Sequence, residues 1–306
     1  MSRPEQDRPK TSFTDTGLDR AAGDTFSPAE RDALLEWYRA NRERDGQDLA
    51  RFAPFLIEHM PAAFKLSRLN LTLIAEARDG VSYPDAAAQL GYLHAYCATA
   101  FPQGVLYSMM SARNLGATKA LVLDVLNYAY LSAGPRGMSA VAELSDDYLR
   151  EWRDDDGAPA IEWPKGWAPD PMAFRSGIDH ATPDLTDSEI QQIATWHQRH
   201  FGVEPRSAEL LARLHPRAYK LQLVRFERAI GPVMPAQLAP LLTLQLATMR
   251  LQPAVMRQAA HQARFLGCRR HHVVQVLLLG LRQSIDPMVT EAAIDAVADL
   301  LEEWRE

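Results

Sequence analysis

Residues 112 to 116 read Ala112-Arg113-Asn114-Leu115-Gly116, and residues 263 to 267 read Ala263-Arg264-Phe265-Leu266-Gly267, with the same apolar spacing running on behind each. The chain therefore reads as a duplication. Behind the first copy, Leu115, Leu121, Val122, Val125, Leu126 and Ala129 recur at spacings of three and four, the period of a helix with one buried face. Gly116 and Gly267 stand where a helix needs a left-handed residue just past its end, and Thr118 is suited to cap the helix that follows. The motif is a helix end, a tight turn and a new helix. No stretch alternates as a strand would, so the predicted fold class is all-α.

The match extends outward from this motif. Gly80, Pro84, Leu90, Leu93 and Pro102 pair with Gly231, Pro235, Leu241, Leu244 and Pro253, 151 residues on. Pro61-Ala62-Ala63-Phe64-Lys65-Leu66 pairs with Pro216-Arg217-Ala218-Tyr219-Lys220-Leu221 at 155, and Glu30 and Trp37 pair with Glu189 and Trp196 at 159. Each step of four is a loop longer in the first copy, the kind of change that surface connections tolerate. Ser27-Pro28-Ala29-Glu30 and Thr186-Asp187-Ser188-Glu189 both have the spacing of a capping box.

These boundaries predict a polar mobile tail over 1–24, a first helical repeat over 25–142, a linker over 143–184 and a second repeat over 185–306. The linker is rich in proline and contains Arg153-Asp154-Asp155-Asp156-Gly157. Its Trp163 and Trp167 predict an ordered strap packed on the repeats, because a free tether rarely carries two indoles.

Across 306 residues, 47% apolar and 24% charged, a formal charge of −6 with no basic stripe argues against a nucleic-acid partner. Apolar runs such as Val273–Leu279 are far shorter than the ~20 residues that cross a bilayer, and the charged N-terminus has no apolar segment behind it. A cytoplasmic protein with no membrane partner is expected. Cys97 and Cys268 fall at non-equivalent positions, which speaks against a disulfide framework or a thiolate metal site.

Two helices joined by a small-residue-then-glycine turn, preceded by Pro84-Asp85-Ala86-Ala87-Ala88-Gln89-Leu90, resemble the alkylhydroperoxidase-D-like or carboxymuconolactone decarboxylase superfamily. The resemblance covers 83–142 and 234–293. It implies two tandem helical domains of about six helices packed as a pseudo-dimer, often assembled into larger homo-oligomers. The peroxidase branch carries C-x-x-C-x-x-x-H on the helix ending at this glycine and an acidic residue one helix earlier. Those positions are here Phe101, Gly104, Ser108 and Gln89, and in the second copy Gln252, Val255, Ala259 and Pro240. With neither thiol nor imidazole in place, a dithiol relay is excluded. The decarboxylase branch relies on a His on the same helix, which is also missing.

Residues shared by both copies are read as scaffold and unshared polar residues as candidates for function. On that basis Arg113 and Arg264 are either carboxylate clamps or helix-end structural groups, the latter preferred. The first copy alone has His94 and Cys97, three residues apart on one helical face, where they can serve as base and nucleophile or lie in the core. Tyr92, Tyr96, Tyr107, Tyr128 and Tyr130 crowd the same copy, and with Phe101, Ser108 and Arg113 they form the expected substrate pocket. Tyr96 and Tyr107 would orient the substrate. In the second copy, Arg269, Arg270 and His271 open a helix against its dipole and call for an anion, either a substrate carboxylate or Asp154-Asp155-Asp156, the latter favoured. His261, His271 and His272 lack a clean ligand spacing, so no metal is expected.

The resulting expectation is a cofactor-independent lyase, isomerase or cyclase resembling carboxymuconolactone decarboxylase, acting on a small apolar organic acid or lactone. A non-catalytic binding or assembly protein is the alternative. A peroxidase working through Cys97 alone ranks third.

Overall fold

A computed structural model describes residues 18–19, 23, 25–44, 47–75, 83–153, 160–203, 206–282 and 286–305. The chain divides into two compact units, Met1–Pro164 and Lys165–Glu306. Both are helical, and the fold class is all-α. The described residues form fourteen helices, one two-stranded hairpin and one 3₁₀ turn. None of these helices is long and apolar enough to cross a membrane.

The first unit runs α1 (Pro28–Arg42), the hairpin β1 (Glu43–Arg44) and β2 (Gln47–Asp48), α2 (Phe52–His59), α3 (Pro61–Ala75), α4 (Asp85–Thr99), α5 (Pro102–Asn114) and α6 (Lys119–Glu151). Leu34, Trp37 and Tyr38 of α1 pack with Ala53 and Ile57 of α2 and Phe64 of α3. Helix α4 is buried on every side from Ala86 to Ala95 and packs against α5 and α6, as expected of a helix whose surface is apolar all round. Helix α6 breaks at Gly134, which takes φ +60° ahead of Pro135. Beyond the break Gly137 lies against α4 so closely that a Cβ there would collide with the Cys97 carbonyl oxygen.

The second unit runs through a 3₁₀ turn (Pro171–Phe174) to α7 (Asp187–Phe201), α8 (Arg206–Leu214), α9 (Pro216–Ala229), α10 (Leu238–Met249), α11 (Pro253–Phe265), α12 (Arg270–Leu281), α13 (Pro287–Asp295) and α14 (Ala298–Glu302). Here α10 is the central helix, packed against α11 and α12.

The same local constructions occur in each unit. Ser27 and Thr186 close capping boxes with Glu30 and Glu189. Each glutamate is buried against a lysine from the matched helix: Lys65 Nζ lies 2.8 Å from Glu30, and Lys220 Nζ 2.7 Å from Glu189. Each also accepts a backbone N–H from upstream, Asp19 in one case and Asp179 in the other. Ala100 and Leu251, one after α4 and the other two residues after α10, both adopt left-handed φ, 53° and 46°, a conformation that costs roughly 1–2 kcal/mol outside glycine. Gly116 and Gly267 take φ 95° and 81° and end α5 and α11 as the motif predicts.

Two boundaries differ from the sequence reading. Residues 143–151 are not linker but the last turns of α6, because the prolines of the linker begin only at Pro159. Lys165 onward belongs to the second unit. The strap is held there by Trp167, stacked edge-on against His272, by buried Phe174 and Ile178, and by backbone bonding of Ala236 to Ala168. The predicted tail over 1–24 lies mostly outside the described residues. Leu18 packs on the α1 core and Asp19 donates to Glu30, so at least these two are anchored.

Candidate functional site

The sequence places its first candidates on α4, and the structure buries them. His94 is 2% exposed, its Nε2 lies 3.2 Å from Ser132 Oγ, and its ring stacks on Tyr128 at 5.7 Å. Cys97 is fully buried, and burial pushes its thiol up to about 12. At neutral pH it is a protonated core group rather than a nucleophile. The tyrosines pack on one another: Tyr96 stacks on Tyr92 and meets Phe101 and Tyr107 edge-on. Burial also pushes the Tyr107 phenol up, and Arg42 covers its ring at 4.4 Å. Ser108 is buried in the same region, without a hydrogen-bond partner for its Oγ among the described residues. A cleft of about 320 Å³ in this unit is lined by Arg44, Leu49, Leu106 and residues 142–144, 146 and 147. His94, Tyr96, Cys97 and Tyr107 do not line it. Replacing His94 by Ala is expected to cost about 2–3 kcal/mol, through the cavity left and the bond lost at Ser132, as read by urea unfolding. An unchanged midpoint would return His94 to the list of functional candidates.

Arg113 does not point at a substrate pocket. Its guanidinium lies over Trp152 at 5.2 Å and donates to the Arg153 carbonyl, while Arg264 lies over Trp304 at 5.8 Å and donates to the Glu303 carbonyl. Arg113 thus ties the end of α5 to the segment just past α6, and Arg264 ties the end of α11 to the segment just past α14. At the start of α12, Arg269 and Arg270 are exposed and His271 is half-buried. His272 Nδ1 accepts the Arg269 N–H and so caps the helix locally. The aspartates proposed to balance this site, Asp154, Asp155 and Asp156, lie outside the described residues.

A cleft of about 980 Å³ is lined by residues of the second unit. Its walls are the strap from Gly166 to Ser176, one face of α7, residues 236 and 237, and the turn Phe265-Leu266-Gly267. The residues expected to form a pocket in the first copy do not line this cleft. The strap and α7 close this cleft from two sides, and Gln237 pins the arrangement. Its Nε2 donates to the carbonyls of Gly166 and Leu266, and its Oε1 accepts from Ala168 N.

One wall is aromatic. His200 is 5% exposed and lies between Trp196 at 4.8 Å and Phe265 at 4.3 Å. Burial first, then the charge of Arg199 and the neighbouring His197 and His261, hold its imidazole down at about 4, so it is neutral at neutral pH. Neither His200 Nδ1 nor Trp196 Nε1 has a hydrogen-bond partner among the described residues. The opposite wall rests on Glu227, 1% exposed, which accepts from Ser176 N at 3.0 Å and Ser176 Oγ at 2.5 Å and lies 2.7 Å from His180 Nε2 and 3.6 Å from Arg175 Nη1. Because a guanidinium only donates, His180 Nδ1, 3.3 Å from Arg175, is the acceptor, and its Nε2 carries the proton toward Glu227.

None of His200, Arg199, Arg175 or Glu227 was singled out from the sequence, although the sorting by unshared polar residues could have reached them. The position matching His200 is Asn41, and that matching Glu227 is Thr72. No protein-family model matches the chain, and neither a curated protein nor a solved structure matches it.

Proposed function

We propose that the chain is a cytoplasmic small-molecule-binding protein on a duplicated scaffold of the alkylhydroperoxidase-D-like kind, and that the cleft of the second unit is its ligand site. The observation that carries this reading is the cleft itself, about 980 Å³ and lined by Trp196, His200 and Phe265 beside Arg199. It has the size of a small-molecule site, roughly 300–1,000 Å³. The duplication is supported by the paired ion pairs, caps and arginines of the two units. Binding is preferred over lyase or isomerase chemistry because His94 and Cys97 are core groups, and an imidazole held at about 4 is a poor base at neutral pH.

Thr195 lies on the exposed cleft face of α7, so Thr195→Trp is expected to fill the cleft without disturbing the core. In a thermal-shift screen of small acids, amines and neutral rings, at least one class should raise the melting temperature of the wild type and leave that of Thr195→Trp unmoved. Equal shifts in both proteins, or none in either, would remove the cleft as the site.

A further inference from the structure

Resting on the assignment of the cleft, we infer that its ligand is a planar aromatic monocarboxylate, whose ring lies on the wall formed by Trp196, His200 and Phe265 and whose carboxylate is held by Arg199. The wall supplies the ring's complement: three aromatic side chains, with His200 in contact with Trp196 on one side and Phe265 on the other, Trp196 being only half-buried and Phe265 exposed. Flat rings stack on such surfaces with geometric preference. The polar groups that line the cleft set the rest of the ligand.

Charge decides between a neutral acceptor and an anion. Among the described residues Arg199 makes no ion pair; its guanidinium lies over the Phe265 ring at 5.1 Å, beside the aromatic wall. The other arginine of the cleft, Arg175, is already balanced by Glu227. A carboxylate meets a guanidinium with two parallel hydrogen bonds, and one uncompensated cation selects one negative charge. Asp170, which lines the same cleft and caps the 3₁₀ turn through Ala173 N, repels a second.

Three probes sharing one ring separate the possibilities by isothermal titration: indole-3-acetate, indole and tryptamine. Indole-3-acetate is expected to bind at least tenfold more tightly than the other two, and Arg199→Gln should reduce it to the level of indole while leaving indole unchanged. Arg199 is exposed, so that variant is expected to fold, as its melting temperature would verify. Tryptamine or indole binding as tightly as the acid, or Arg199→Gln binding the acid normally, overturns the inference. If none of the three binds while another compound is retained by wild type and lost in Thr195→Trp, the ligand class is wrong and the cleft assignment stands. If nothing binds at all, both fall.

Discussion

Lys220→Met lowers the stability of the second unit by about 3–5 kcal/mol, the usual consequence of removing one partner from a buried ion pair. The lysine is 2% exposed and its ammonium reaches Glu189, Thr182 Oγ1 and the Asp184 carbonyl. Methionine keeps the apolar stem but leaves the Glu189 carboxylate in a site where burial opposes its charge and only N–H and hydroxyl donors remain. Lys65→Met should act equally on the first unit, because Glu30 and Thr25 surround Lys65 in the same manner. Combining Lys220→Met with Glu189→Leu should recover much of the loss, since no unpaired charge then stays buried. Urea unfolding followed by circular dichroism reads each variant. A loss below about 1 kcal/mol for the single change would put the pair in the class of surface contacts.

Acid is expected to unfold the second unit before the first. His200 has its imidazole lowered from the ordinary 6.5 to about 4. The unfolded chain therefore binds the proton first, and this contribution is complete above pH 6.5 and lost as the pH falls from 6.5 toward 4. It amounts to about 2–3 kcal/mol. His197, also lowered by burial, adds with the same sign. The glutamates act in a lower window. Burial opposes ionisation of Glu30 and Glu189, but their lysines and the backbone N–H groups outweigh it, and both carboxyls sit at about 2. Their contribution is present above pH 4.5 and disappears as the pH falls toward 2, about 3 kcal/mol for each unit. Calorimetric scans from pH 7 to pH 3 should show the second unit's transition falling from pH 6.5 and the first unit's only below 4.5. His200→Phe should shrink the upper limb and leave the lower one unchanged, the remnant being the contribution of His197. An upper limb of undiminished size would assign the titration elsewhere.

Trp37 and Trp196 illustrate how far sequence reading reaches. The two tryptophans occupy matching positions in the sequence reading, and both lie on a helix behind a capping box. Around Trp37 the chain places Arg42 at 5.5 Å and Arg68 at 4.7 Å, and the ring is 4% exposed. Around Trp196 the positions matching those arginines are Phe201 and Leu223, and the ring is half-buried on a cleft. The pairing was visible in the sequence; the difference in cover was not, because it depends on side chains brought from other helices and from the strap. The same holds for His94 and Cys97. Their spacing correctly puts them on one helix, but α4 turned out to be the helix surrounded on every side, so a shared face became a shared core.

By itself, the sequence determined the helical class, the two capping boxes and the helix–glycine–helix turns at Gly116 and Gly267. Each follows from interactions within a few residues along the chain. Only the tertiary structure decided which polar residues face a cleft. His200, Arg199 and Arg175 are brought to it by α7 and a strap whose packing depends on contacts up to about 70 residues apart, such as Gln237 with Gly166. Nothing in local spacing encodes that approach.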